Sequence, residues 1–249
     1  MNTYIEEARA SGLIEEIKRY AKENQRLSIA LIQREFSLGF PRARMIYDYL
    51  KEEGFLNEEG ELAISTPLKI YLLDRNPLIA FALKDAFSSI QRVEVVRDDF
   101  AHFMDTHKDL ACIVSPGNAF GYMDGGYDAA ITDYFGKAAQ EAVQDYIARH
   151  LFGEQPVATS ILVDIPGTDK KLIHTPTMRL PSPIKDRIVV YQAMRTTLMC
   201  ALQAKVPSIV IPAFGGATGK VNPQVLAKCM KAGYDQVRSF CDKTGKYLL

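Results

Sequence analysis

Apolar positions change their period once along the chain. Up to about residue 66 they recur at helical spacing. Ile14, Ile17 and Ala21 form an i, i+3, i+7 stripe on a first helix over about residues 3–24, with Gly12 as a point of interruption. Ser28 is placed to cap a short second helix, SIALIQREF. The tight turn SLGF follows, and Pro41 falls at the first position of a third helix, where its missing N–H costs nothing. That helix, PRARMIYDYLKEEG, turns Ala43, Ile46 and Leu50 inward and stops at Gly54. A β-like pair, FL and ELAI, completes the outline of a winged helix-turn-helix.

From residue 67 the pattern alternates. Strand-like runs are LKIYLL (68–73), VEVVRD (93–98), LACIVS (110–115), TSILVDI (159–165), KLIHTP (171–176) and PSIVIPA (207–213). Helical stretches at 76–87, 127–150, 185–205 and from about Pro223 separate most of them. Near-continuous apolar strands between amphipathic helices predict a sheet covered on both faces, an α/β/α sandwich. The string NEEGELAISTP (57–67) combines turn residues with a proline, so the expected domains are 1–66 and 67–249.

Composition narrows the function classes. Thirty Lys+Arg balance thirty Asp+Glu, so nucleic acid or an anionic membrane would have to be held by a local patch. The N-terminal segment itself carries 9 Lys+Arg against 12 Asp+Glu. Cys112, Cys200, Cys229 and Cys241 include no C-x-x-C pair, which points to buried thiols rather than a zinc site or disulfides. Neither a secretory signal nor a spanning-length apolar run is found, and a soluble, cytoplasmic protein with no membrane contact is expected. No metal or cofactor is expected.

Two strands run into glycine-rich loops that precede helices, CIVSPGNAFGYMDGGYDAAI (112–131) and VIPAFGGATGKV (210–221). Bare backbone N–H groups ahead of a helix suit a phosphate, and two such loops would grip a diphosphate from both sides. GGATGKV is not a Walker A loop, because Val221 follows Lys220 where Ser or Thr is required, and neither loop fits G-x-G-x-x-G with its distal acid.

Residues 67–249 resemble the macro domain, the ADP-ribose-binding α/β/α module with a central mixed sheet. Its hallmark is a strand ending Asn-Ala-Ala-Asn, a glycine run and Val-Asp-Gly-Ala-Ile. SPGN (115–118) stands for the first part and GGYDAAI (125–131) for the last, while IHT (173–175) and IPAFGGATGK (211–220) match the central strand and second phosphate loop. The resemblance implies that Asp99, with Asp98 as the alternative, accepts the adenine amino group. It implies that Asn118 bonds the distal ribose, and that Gly121, Gly125 and Gly126 face Gly215, Gly216, Ala217, Thr218 and Gly219 across the diphosphate. Asp128 matches the carboxylate that orients or activates water in hydrolytic members. It is also placed to cap its own helix.

Some positions depart from that pattern. Asp124 interrupts the glycine run, with Lys220 as its possible electrostatic partner, and Phe214 is the nearest stand-in for the aromatic residue often set against the distal ribose. No lysine follows the central strand until Lys185, which disfavours a covalent lysine route, and His174 reads as a core histidine. The string 26–56 resembles the gamma winged-helix domain of FtsK-type DNA translocases, which implies Arg42 and Arg44 near DNA with Arg34 on the flank. The implied function is binding of ADP-ribose with hydrolysis of ADP-ribosyl linkages. The alternatives are a non-catalytic ADP-ribose reader, a DNA-targeted regulator, or a phage-associated protein with a vestigial pocket.

Overall fold

The computed structural model describes residues 3–24, 26–56, 67–244, 247 and 249, and divides into two compact units, Met1–Ser65 and Thr66–Leu249. In the first, α1 (Thr3–Ala10) and α2 (Leu13–Asn24) are separated at Gly12, whose φ of +80° suits glycine alone. Ser28 caps α3 (Ile29–Glu35) by accepting from the Leu31 N–H at 3.2 Å. Helix α4 (Phe40–Glu52) begins one residue earlier than the proline signal suggests, with Gly39 as its cap. Ile14, Ile17, Ala21, Ile32, Ala43, Ile46 and Leu50 form one buried core. The β-like stretch ELAI lies outside the described residues.

Among the described residues the second unit holds six strands, all near the apolar runs. They are β1 (Lys69–Leu73), β2 (Val93–Val96), β3 (Cys112–Ser115), β4 (Ile161–Asp164), β5 (Lys171–His174) and β6 (Ser208–Pro212). Their order is β2-β1-β6-β3-β5-β4, parallel except for the antiparallel edge strand β4. Strand residues alternate between two cores, because successive side chains leave opposite faces. Ile70, Leu72, Cys112, Val114, Ile209 and Ile211 pack toward α5 (Pro77–Phe87), α9 (Ile188–Gln203) and α10 (Pro223–Thr244). Tyr71, Leu73, Ile113 and Val210 pack toward α6 (Phe100–Thr106), α7 (Gly126–Phe135) and α8 (Ala138–His150). Both faces are therefore apolar, which is why these strands read as unbroken hydrophobic runs.

Two differences from the sequence expectation have local causes. The stretch 127–150 is two helices, broken at Gly136 with φ +84°. Helix α6 was not anticipated. It is only seven residues long, but Asp99 caps it and Phe100, Phe103 and Met104 bury an i, i+3, i+4 stripe. That stripe is its sequence signal. The four cysteines are free, with Cys112 and Cys241 buried.

Candidate ligand-binding site

Strands β1, β6, β3 and β5 are parallel neighbours, so their carboxyl ends emerge at one edge of the sheet. One cavity runs across those ends. Asp74 follows β1, Pro212, Ala213 and Gly215 to Gly219 follow or end β6, Pro116 to Asn118 follow β3, and Thr177, Met178 and Pro181 follow β5. Gly125, Gly126, Tyr127 and Asp128 close it from the start of α7. From β1 to β5 is three strand spacings, about 14 Å at roughly 4.8 Å each.

Both glycine loops line this cavity. The N–H groups of Gly125, Gly126 and Tyr127, and of Gly215, Ala217, Thr218 and Gly219, have no acceptor among the described residues. For the α7 start this is what any first helical turn leaves. In the second loop, turn bonds from Gly216 to the Ala213 carbonyl, from Lys220 to the Ala217 carbonyl and from Val221 to the Gly215 carbonyl fix the curve and spare the amides of Ala217, Thr218 and Gly219. The loop is tight enough that a Cβ on Gly219 would lie 2.8 Å from the Gly215 backbone.

Asp128 is 8 % exposed and receives the Ser115 hydroxyl proton on Oδ1 at 2.7 Å. Burial pushes its carboxyl up to about 7; the Ser115 hydrogen bond opposes this and Asp124 adds to it. Asn118, also buried, spends its side chain on the loop. Its amide donates to the Tyr122 carbonyl at 2.9 Å and its oxygen accepts from the Phe120 N–H at 3.1 Å. The Tyr127 hydroxyl is buried with no partner among the described residues, and burial, together with the nearby Asp128 and Asp74 carboxylates, holds its proton on.

Four of the expected ligand residues sit elsewhere or do other work. Asp99 is outside the cavity lining, because its carboxylate caps α6 by accepting from the His102 N–H at 3.0 Å. Asp98 is taken by the His102 ring at 2.6 Å. Phe214 is fully buried in the core on the α9–α10 side. Gly121, at φ +70°, packs against α8, where a Cβ would meet Val143 at 2.9 Å. The residue missed in the sequence is Asp74, the one acid of the β1 end that lines the cavity. Its Oδ1 accepts from the Asn76 N–H at 2.7 Å, and burial raises its pKa. Asp-Arg-Asn-Pro directly after a strand was the available signal. Lys220 does not line the cavity, and neither does any other Lys, Arg or His among the described residues.

In the first unit the candidate arginines are partnered. Arg34 lies 2.7 Å from Glu35, Arg44 lies 3.5 Å from Asp48, and Arg42 stands 5.1 Å over the Tyr4 ring. Among the described residues no cluster of three or more metal-ligating side chains occurs, and no helix is long and apolar enough to cross a membrane.

With strand order, loops and cavity in place, comparison with known proteins gives the class. The Macro-like domain family model matches residues 81–233, and the Ftsk gamma domain model matches residues 9–61. The first match covers more than half of the chain, so the chain belongs to the Macro-like domain family. Its N-terminal unit is FtsK gamma-like. None of the curated proteins matches the chain.

Solved structures similar to it include the Oceanobacillus iheyensis macrodomain with MES bound, at 21% identity over 51% of this chain and 69% of that one, TM-score 0.44. The macrodomain of Mycobacterium tuberculosis DarG is 17% identical over 52% of this chain and 84% of its own, TM-score 0.45. The Trypanosoma brucei macrodomain is 15% identical over 70% and 57%, TM-score 0.43.

Proposed function

We propose that this protein binds ADP-ribose, or a derivative of it, and hydrolyses ADP-ribosyl linkages. The observation that carries the proposal is the pair of amide cradles lining one cavity, whose N–H groups at Gly125, Gly126 and Tyr127 and at Gly215, Ala217, Thr218 and Gly219 have no acceptor among the described residues. An anion with several oxygens is what such cradles hold, and no lining cation is needed when backbone dipoles converge. Membership of the Macro-like domain family supports the same ligand.

With the diphosphate over the β6 and β3 ends, the distal ribose falls toward Asn118 and Asp128 and the adenosine toward β1. The acid available to accept the adenine amino protons there is Asp74, since it lines the cavity and Asp99 does not. In the chemical step a water oxygen bonds to the anomeric carbon of the distal ribose, and the bond from that carbon to the acceptor breaks. Asp128, or a phosphate oxygen of the ligand, takes the water proton. A carboxyl titrating near 7 is partly ionised at neutral pH, so it orients the water as a base. The N-terminal unit, FtsK gamma-like in sequence, takes duplex DNA as its partner and so brings the ADP-ribose site to DNA.

The test is calorimetric titration of the full chain with ADP-ribose, beside incubation with an ADP-ribosylated acceptor. Binding with release of ADP-ribose, abolished in Asp128→Ala, is the expected result. Binding without release leaves only an ADP-ribose reader, and no binding at millimolar ligand overturns the proposal.

A further inference from the structure

Strand alternation determines what Ser115 touches. Ile113 packs toward α6, α7 and α8, so Ser115, two residues on, faces the same layer and meets α7 at Asp128. It is the last residue of β3, pairs with His174 on β5, and its carbonyl accepts from the Thr175 N–H at 2.9 Å. The ladder thus anchors the backbone that carries the hydroxyl. Ser115 is fully buried and does not line the cavity, whereas Asp128 does. Its proton goes to Asp128 Oδ1 at 2.7 Å, and Oδ2 has no partner among the described residues. The macro-domain pattern has asparagine at this position, so the hydroxyl is a feature of this chain.

We propose that Ser115 is a positioning residue, which clamps Asp128 Oδ1 so that Oδ2 is presented to the cavity in its ionised form. The inference rests on the role given to Asp128 above. Ser115 touches no ligand and acts only through the carboxylate. A hydrogen bond to a charged group in a buried site is among the stronger ones. Its loss leaves Asp128 with burial and the Asp124 charge, both of which favour the protonated form; Tyr127 is the other titratable neighbour and stays neutral.

The experiment compares wild type, Ser115→Ala and Ser115→Thr as full chains, with folding checked by circular dichroism. Two readouts are used: the pH profile of ADP-ribose release, and carboxyl-carbon NMR titration of Asp128 without ligand. The expected result for Ser115→Ala is an Asp128 inflection raised by about one to two pH units. ADP-ribose affinity should change less than twofold, and kcat should fall about eightfold or more at pH 6.5 and recover as pH rises through the raised inflection. Ser115→Thr keeps a hydroxyl and restores the wild-type inflection. Should that variant fail to fold, Ser115→Gly replaces it as a second hydroxyl-free variant and must reproduce the Ala shift. An unmoved inflection, or equal loss of affinity and kcat at every pH, overturns the proposal. If wild type releases no ADP-ribose, the hydrolase reading fails while the NMR titration still decides the clamp.

Discussion

His174 Nδ1 lies 2.7 Å from Gln155 Oε1, and this contact sets the tautomer of a fully buried imidazole. The Gln155 amide nitrogen donates to the carbonyls of Thr159 and His174 itself, so its oxygen must face the ring and Nδ1 must be the donor. Nε2 is then a bare lone pair with no partner among the described residues, against the cavity loop at Gly117, where a Cβ would come within 2.6 Å. Burial depresses the imidazole pKa to about 3.

A depressed folded-state value means that neutral His174 contributes stability above pH 6.5, lost as pH falls toward 3. Wild type should therefore lose melting temperature steeply across that window, and His174→Gln should flatten the dependence. Thermal melts from pH 7 to pH 3.5 check this; parallel curves would refute it.

The cradle geometry predicts the effect of one methyl group. Gly219→Ala places a Cβ 2.8 Å from the Gly215 backbone, which cannot yield as a side chain would. The loop must open, and ADP-ribose affinity should fall at least tenfold, about 1.4 kcal/mol or more. Circular dichroism should report an intact fold. Calorimetry on the folded variant gives the answer.

Asp74 and Asp99 should separate cleanly. Asp99→Ala removes a helix cap and should cost about 1 kcal/mol of stability while leaving affinity unchanged. Asp74→Ala should weaken ADP-ribose binding and abolish preference for adenine over hypoxanthine in the ligand. If Asp99→Ala is the variant that loses base preference, the assignment to Asp74 is wrong.

Tyr127→Phe should stabilise the free protein. It deletes a buried hydroxyl that has no partner among the described residues while keeping the ring, which packs edge-on to Phe100 at 5.2 Å. Leaving such a group unsatisfied costs about 1–3 kcal/mol, so the melting temperature should rise by a few degrees. A fall would mean that the hydroxyl has a partner in solution.

For the N-terminal unit, duplex affinity measured by fluorescence anisotropy should depend on salt, and Arg42→Ala should lower the slope of log K against log salt by about one. Arg44→Ala should have a smaller effect, because its guanidinium already lies 3.5 Å from Asp48. A slope near zero for wild type would remove DNA as the partner.

Much of the fold was legible along the chain. The strands announce themselves because both sheet faces are buried, and the cap at Ser28 because a short polar side chain before an apolar run has few other uses. Helix α6 escaped because seven residues give too little periodicity. The split of 127–150 escaped because Gly136 sits in a pattern apolar enough to read as continuous.

By itself the sequence determined the six strands, the two glycine loops and the acid at the start of α7, since each depends on neighbours a few residues apart. Only the tertiary structure decided that Asp74 joins the cavity while Asp99 is spent on a helix cap, and that Ser115 holds Asp128. The place of Asp74 follows from strand order, which sets β1 beside β6 and β6 beside β3, and the Ser115 contact from the packing of α7 on the β3 face. Order is fixed by packing between elements far apart in the chain, and local pattern carries no record of it.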